Sequence, residues 1–518
     1  MRATVVPAVI ALAALLGAIP AGGADTKETK TMKPTPKAAA AGSVRTSLMP
    51  SPSSPLIAFR IQFRCGAVDD PAGKEGLNAL TAMTIAQGGT KDLTYNQVIE
   101  RLYPMAATIG VQPDKEVTTF TGEVHRDHLK AYNDLLTSIL LHPRFDESDF
   151  KRSRDDLVAA IETNLRGNDD ENLGKAVLGW TMYEGHPYRN LDIGTVQGLK
   201  SATLDDVKAY YRKHYTQGSV VLGVAGGYPA GVIDTLKKDF ATLPAGAPPV
   251  VALPKPKAVA GMQVTFADKA TDSTAISIGF PIAVTRADKD FYALLVANSY
   301  LGEHRTFNGR LMNVMRGDRG LNYGDYSYIE DFIQEGGSTF PLTNIPRRQQ
   351  FFSIWIRPVA PGNALFALRQ ATRELKKLVD SGLSAEDFET TRKYLLNYSR
   401  LWAQDQSRRL GYQMDSEFYG TKLVIDRIQD ELPRLKVADV NAAVKRHLQT
   451  DNLTVAIVTQ DAAAVKETLL SGHPTPITYQ TPTTNEALLK EDKEIEAFPL
   501  PLARERVRVV KAQELFEK

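Results

Sequence analysis

The sequence predicts an α+β protein made of two homologous domains, each a mostly antiparallel sheet with helices packed on one face. The first observation behind this is an internal repeat: Asp149, Phe150, Arg154 and Leu157 match Asp387, Phe388, Arg392 and Leu395 at a shift of 238 residues. Asp206, Val207, Ala209 and His214 then match Asp439, Val440, Ala442 and His447 at a shift of 233. Each of these blocks leads into an apolar strand, Val220 to Ala225 or Leu453 to Val458. The second observation is that period-two and helix-period apolar patterns are interspersed through the chain. The third is the stretch Leu243 to Lys257, whose prolines disfavour regular structure and mark a joint between the copies.

At the start, Arg2 precedes an apolar run from Val5 to Ile19 and then the small residues Ala21 to Ala24, the order of a secretory signal peptide over residues 1–24. That run is short for a hydrocarbon core of about 30 Å, and no later stretch approaches the ~20 apolar residues a span needs. The mature chain is therefore expected to be exported, periplasmic or secreted, with no membrane span. Residues 25–53, rich in Lys, Thr, Ala, Pro and Ser, read as a flexible leader.

Ile57, Phe59, Ile61, Phe63 and Cys65 alternate with Ala58, Arg60, Gln62 and Arg64, which is a half-buried strand with Cys65 as its last core residue. Gly76 opens a short helix through Leu77, Leu80, Met83 and Thr84, closed by Gly88 and Gly89. Thr94 and Gln97 have the spacing of a capping box for the next helix. Thr108 to Val124 reads as two strands turned at Pro113 and Asp114, and Leu129, Tyr132, Leu135, Leu136, Ile139 and Leu140 recur at helical spacing. The domain plan is then 54–243 for the first domain, 244–260 for the linker, 261–470 for the second domain, and 471–518 for an extended tail broken by prolines and placed to wrap the domains or a partner.

Composition narrows the function. With 62 Lys and Arg against 60 Asp and Glu, the net charge of +2 supplies no field to gather nucleic acid or an anionic membrane. A single cysteine excludes an intramolecular disulfide framework and a cysteine-held metal cluster. No nucleophile elbow, P-loop or dinucleotide fingerprint occurs in a strand-to-helix context. His125 and His128 lie three apart at a helix start, where capping is commoner than metal binding, and His186 precedes a proline in a loop. His214 and His447 are repeat-equivalent, which favours a structural role. Arg504, Arg506, Arg508 and Lys511 alternate with Val507 and Val509 as a solvated strand edge.

The stretch SPLIAFRIQFRCGAVDDPAGKEGLNALTAM, Ser54 to Met83, resembles the opening of the insulinase or pitrilysin-type zinc metallopeptidases, a family that includes the mitochondrial processing peptidase. The family continues Gly-Leu-x-His-x-x-Glu-His, two helix-borne histidines that bind zinc and a glutamate that polarises the zinc-bound water. The corresponding positions here are Ala79, Ala82 and Met83, and aligning VAAI with the family's downstream Glu-Glu pair puts Ala159 and Ala160 at the third ligand. None of them can bind the metal or move a proton; Glu162 is nearby, but one carboxylate does not make a catalytic site. The resemblance therefore implies a chain that holds no metal and does not hydrolyse peptides alone.

The second half is similar to the family where the first has diverged. FNGRLMNVMRGDRGLNY, Phe307 to Tyr323, resembles the family's Arg-Leu helix followed by Arg, a Gly-Leu turn and Tyr. By that resemblance Arg316 and Tyr323 bind substrate opposite a zinc site, a guanidinium and a phenol suited to peptide carbonyls and a developing oxyanion. Taken without that context, Arg316 also suits a helix end and Tyr323 a strand. Zinc-free members carrying the Arg and Tyr commonly pair with a homologue that holds the zinc. The resemblance thus implies a non-catalytic, substrate-binding subunit of an exported heteromeric zinc metallopeptidase, with zinc in a homologous partner and a peptide as substrate. The alternative is an inactive structural or peptide-binding homologue. Phe352, Ile354 and Ile356 mark an apolar strand, read as core with a chamber-lining edge as the alternative.

Overall fold

The structure, a computed structural model, describes residues 43–257, 259–334 and 336–518. The signal peptide and the first part of the leader lie outside the described residues. Two sheets form the frame. The first contains β1 (Arg45–Pro50), β2 (Leu56–Phe63), β3 (Thr108–Pro113), β4 (Thr118–His125) and β5 (Val220–Gly226) in the order β1-β5-β2-β4-β3. The second contains β6 (Met262–Asp268), β7 (Thr274–Ile282), β8 (Asp325–Tyr328), β9 (Gln350–Val359), β10 (Thr454–Thr459) and β11 (Leu502–Lys511) in the order β11-β6-β10-β7-β9-β8. Most pairings are antiparallel; β1 runs parallel to β5, and β6 runs parallel to β10 and β11.

The repeat seen in the sequence is a repeat of elements. Helix Glu147–Ala159 corresponds to Ala385–Leu401, and helix Leu204–His214, leading into β5, corresponds to Val437–His447, leading into β10. Each half keeps its main helices on one face of its own sheet, and each sheet's other face is covered from across the molecule. Helix Asp170–Met182 of the first half packs on β6, β7 and β10, and helix Gln406–Phe418 of the second packs on β1, β2 and β5. This explains β2, in which Ile57, Phe59, Ile61 and Phe63 face one core while Ala58, on the reverse, is equally buried against Leu410 and Met414. A strand read as half-buried is buried on both faces.

Two segments depart from expectation. The leader read over 25–53 contains β1, whose Ser47 donates to Glu417 Oε1 at 3.0 Å while its backbone extends the sheet beside β5. An edge strand held by backbone hydrogen bonds needs little apolar sequence, so composition hid it. The tail read as extended contains helix Glu486–Glu496, capped by Asn485, before it reaches β11, the edge strand that the Arg504 to Lys511 alternation indicates. Its end returns to the first half, where Val196 N donates to Phe516 O at 3.0 Å and Arg166 Nε donates to Leu515 O at 2.7 Å. β9 lies between β7 and β8, so Phe352, Ile354 and Ile356 are core rather than edge. No helix among the described residues is long and apolar enough to cross a membrane.

Candidate functional site

The segment from Leu311 to Tyr328 buries Leu311, Met312, Val314 and Met315 and then has to turn sharply into β8. Its helix ends in a widened turn, Met312–Gly317, in which Asp318 N donates to Asn313 O at 2.8 Å. Widening a last turn re-aims the side chains that follow. Gly320 closes it at φ +62°, where its N–H donates to Arg316 O at 2.9 Å. Asn322 then donates from Nδ2 to Asp325 Oδ1 at 2.7 Å and to Arg357 O at 3.0 Å, and accepts from Gly324 N at 2.9 Å. Burial pushes the carboxyl of Asp325 up to about 8. The loop so tied leaves Tyr323 at its tip, 77% exposed.

Three arginines lie close together here, and two are anchored. Arg310 pairs with Glu374 at 2.7 Å. Arg319 pairs with Asp492 at 2.8 Å and Glu491 at 2.9 Å, and donates to Val314 O at 2.9 Å, so the tail helix supports the turn from beneath. Arg316 differs: among the described residues it makes no ion pair, and its Cζ lies 5.2 Å from the ring centre of Phe307 and 5.7 Å from that of Tyr323. A guanidinium flanked by aromatic rings keeps its charge and its N–H donors while losing part of its hydration. The structure thus brings Arg316 and Tyr323 together. It adds Phe307, 68% exposed, which no periodic pattern in the sequence marks.

The other expected site is a set of small and apolar side chains. Helix Leu77–Gln87 starts from Gly76 at φ +106°, with Asp70 accepting from Gly76 N at 2.6 Å and Asn78 N at 2.7 Å. Ala79 and Ala82 are fully buried on that helix and Met83 is partly buried. The helix packs on Glu147–Ala159, at whose end Ala160 is buried and Ala159 exposed. Glu162 pairs instead with Lys200 at 3.1 Å. This donor set does not fit zinc, and no group of three or more His, Cys, Asp or Glu among the described residues is placed to hold a metal ion.

The remaining candidates have structural roles. Cys65 is buried, and burial pushes its thiol well up. His125 caps a short helical turn, and His186 accepts from Tyr188 N at 3.0 Å while stacking on Tyr183. His214 stacks on Tyr210, whereas its repeat partner His447 meets Asp290 Oδ2 at 2.7 Å. Arg504 pairs with Glu467 at 2.7 Å, and Arg508 donates to Thr265 Oγ1 at 2.9 Å.

Two repeated α+β halves, a buried helix carrying Ala79, Ala82 and Met83, and a corner that brings Arg316 and Tyr323 together define a peptidase-like chain, and no metal-holding cluster occurs among the described residues. Residues 46–190 match the family described as Insulinase (Peptidase family M16), and residues 201–395 match the Peptidase M16 inactive domain. The chain belongs to the M16 peptidase family and is an inactive homologue within it. It is 23% identical over 372 residues to the "Uncharacterized zinc protease YmxG" of Bacillus subtilis, covering 71% of this chain and 85% of that one. It is 21% identical over 413 residues to the "Non-peptidase homolog YmxG" of Helicobacter pylori, covering 78% and 89%. A solved M16 inactive-domain structure from Pseudomonas fluorescens superposes with a TM-score of 0.70 at 19% identity, over 81% of this chain and 96% of that one.

Proposed function

We propose that this chain is the non-catalytic, substrate-binding subunit of an exported heteromeric zinc metallopeptidase. The observation that carries the reading is the Arg316 guanidinium, which among the described residues has no anion and lies between two exposed rings while its neighbours Arg310 and Arg319 are paired. A structural arginine at a helix end gains by finding a carboxylate; one kept unpaired and partly desolvated suits a transient ligand. Zinc in a homologous partner would supply the activated water. This chain's part is to hold the peptide, with Arg316 donating to a substrate carbonyl and Tyr323 donating its hydroxyl to a second acceptor. Removing one donor aimed at a developing oxyanion typically costs about 3 kcal/mol of barrier. Export rests on the apolar run Val5 to Ile19 and the small residues that follow it.

Mixing the mature chain with a zinc-bearing M16 homologue and a quenched unstructured peptide tests the reading. Cleavage is expected from the mixture and not from this chain alone. Equal cleavage by the homologue with and without this chain, despite a demonstrated complex, would reduce the chain to a scaffold.

A further inference from the structure

The loop between helix Lys289–Gly302 and the Arg316 turn is short, polar and pinned at both ends. On one side His304 is buried, its Nδ1 2.6 Å from Tyr328 Oη and its ring 4.6 Å from Phe332. Thr306 N donates to Glu303 O at 3.3 Å, closing the loop on itself. Arg305 is held at φ +55°, a conformation a non-glycine residue adopts only when its surroundings impose it. On the other side Gly309 passes so near Gly302 that a Cβ would lie 3.2 Å from Gly302 Cα, and Asn313 N donates to Gly309 O at 3.0 Å. A loop fixed in this way still turns Phe307 outward, with 68% of it exposed. The outward ring is not idle, since from the Glu303–Gly309 loop it flanks the Arg316 guanidinium, which makes no ion pair among the described residues, while Tyr323 flanks it from another.

We propose that Phe307 is a third member of the Arg316–Tyr323 site: a positioning residue for the guanidinium and the apolar wall that selects peptides with a large apolar side chain beside the carbonyl Arg316 holds. This rests on the reading of Arg316 and Tyr323 as a peptide-binding pair. Rings on Arg316 restrict its swing, so its donors stay aimed without an ion pair to fix them. The exposed remainder of Phe307 and Tyr323 is apolar surface that a bound apolar side chain would cover and a serine would leave wet. Charge and apolar surface together therefore favour an extended peptide that offers a carbonyl and a large apolar group at neighbouring positions.

Two labelled unstructured peptides differing only by Phe or Ser at one central position, titrated against the full mature chain by fluorescence anisotropy, test this. The Phe peptide is expected to bind roughly tenfold tighter, the effect of partly burying one aromatic side chain. Phe307→Ala removes that ratio, Phe307→Leu retains most of it, and Arg316→Ala weakens both peptides while leaving the ratio in place. A ratio near one in the unaltered chain, or one that survives Phe307→Ala, overturns the role of Phe307 while the loss with Arg316→Ala still upholds the pair. Unchanged affinities with Arg316→Ala, or no binding of either peptide, overturn the underlying reading and this inference with it.

Discussion

A single methyl group at residue 324 is enough to disturb the loop that carries Tyr323. Gly324 has φ +145°, and a Cβ there would lie 2.2 Å from Tyr326 Oη. Gly324→Ala is expected to cost about 1–3 kcal/mol, the scale of one strained backbone position. Thermal melting reads that loss, and peptide titration reads a weakened site with it. At this scale the sequence was informative wherever chemistry follows from spacing. Ala79, Ala82 and Met83 lie on one helix as the motif requires, and six residues separate Arg316 from Tyr323 around glycines that have to break a helix. Phe307 was illegible because it sits in a loop, where no period distinguishes a ring that covers a guanidinium from one that is merely exposed. Asp492 and Glu491, which hold Arg319 beneath the turn, are distant in sequence, and nothing local predicts that meeting.

Among the elements, the crossed helices tie the halves together. Leu410 is fully buried against Ala58, Val221 and Ala225, so Leu410→Ala should cost about 2–5 kcal/mol, as truncation of a buried leucine does. A lower denaturant midpoint with an unchanged slope would report it. The tail helix responds to acid. Burial alone would raise the carboxyl of Glu491; hydrogen bonds from Arg373, Arg319 and Lys377 outweigh it and hold the group down at about 2. A carboxyl depressed on folding contributes stability above its ordinary value of 4.5, and that contribution is lost as pH falls from there toward 2. Hydrogen-exchange protection in Glu486–Glu496, taken relative to the intrinsic rate at each pH, is therefore expected to fall over that window, and Glu491→Gln should lower it at neutral pH. Strands with strong alternation, such as β2, and helices with capping boxes, such as Tyr95–Leu102, were legible in the sequence. β1 was not, because an edge strand draws its hold from backbone pairing, and the tail helix was not, because the tail's prolines flank its elements rather than interrupt them, whereas the alternation from Arg504 to Lys511 did mark the edge strand β11.

At the scale of the molecule, two homologous halves share one frame through exchanged helices and a chain end that returns to its starting domain. The repeat made that plan visible; the exchange and the return arise only when both halves are packed. Among the described residues no group of three or more His, Cys, Asp or Glu is placed to hold a metal ion. A chelator is therefore expected to leave the melting temperature of the purified chain unchanged, and metal analysis should find less than stoichiometric zinc; a stoichiometric ion whose removal lowers the melting temperature would mean an unrecognised site. The central claim, that an inactive M16 chain lends a binding corner to a partner's chemistry, meets its most direct test in one assay. In the complex with a zinc-bearing homologue, with assembly verified by size-exclusion chromatography, peptide cleavage is measured for the unaltered chain and for Arg316→Ala with Tyr323→Phe. The account predicts an intact complex whose kcat/KM falls by roughly a hundredfold or more, the scale of losing an oxyanion-type donor. An intact complex with unaltered kcat/KM would contradict it.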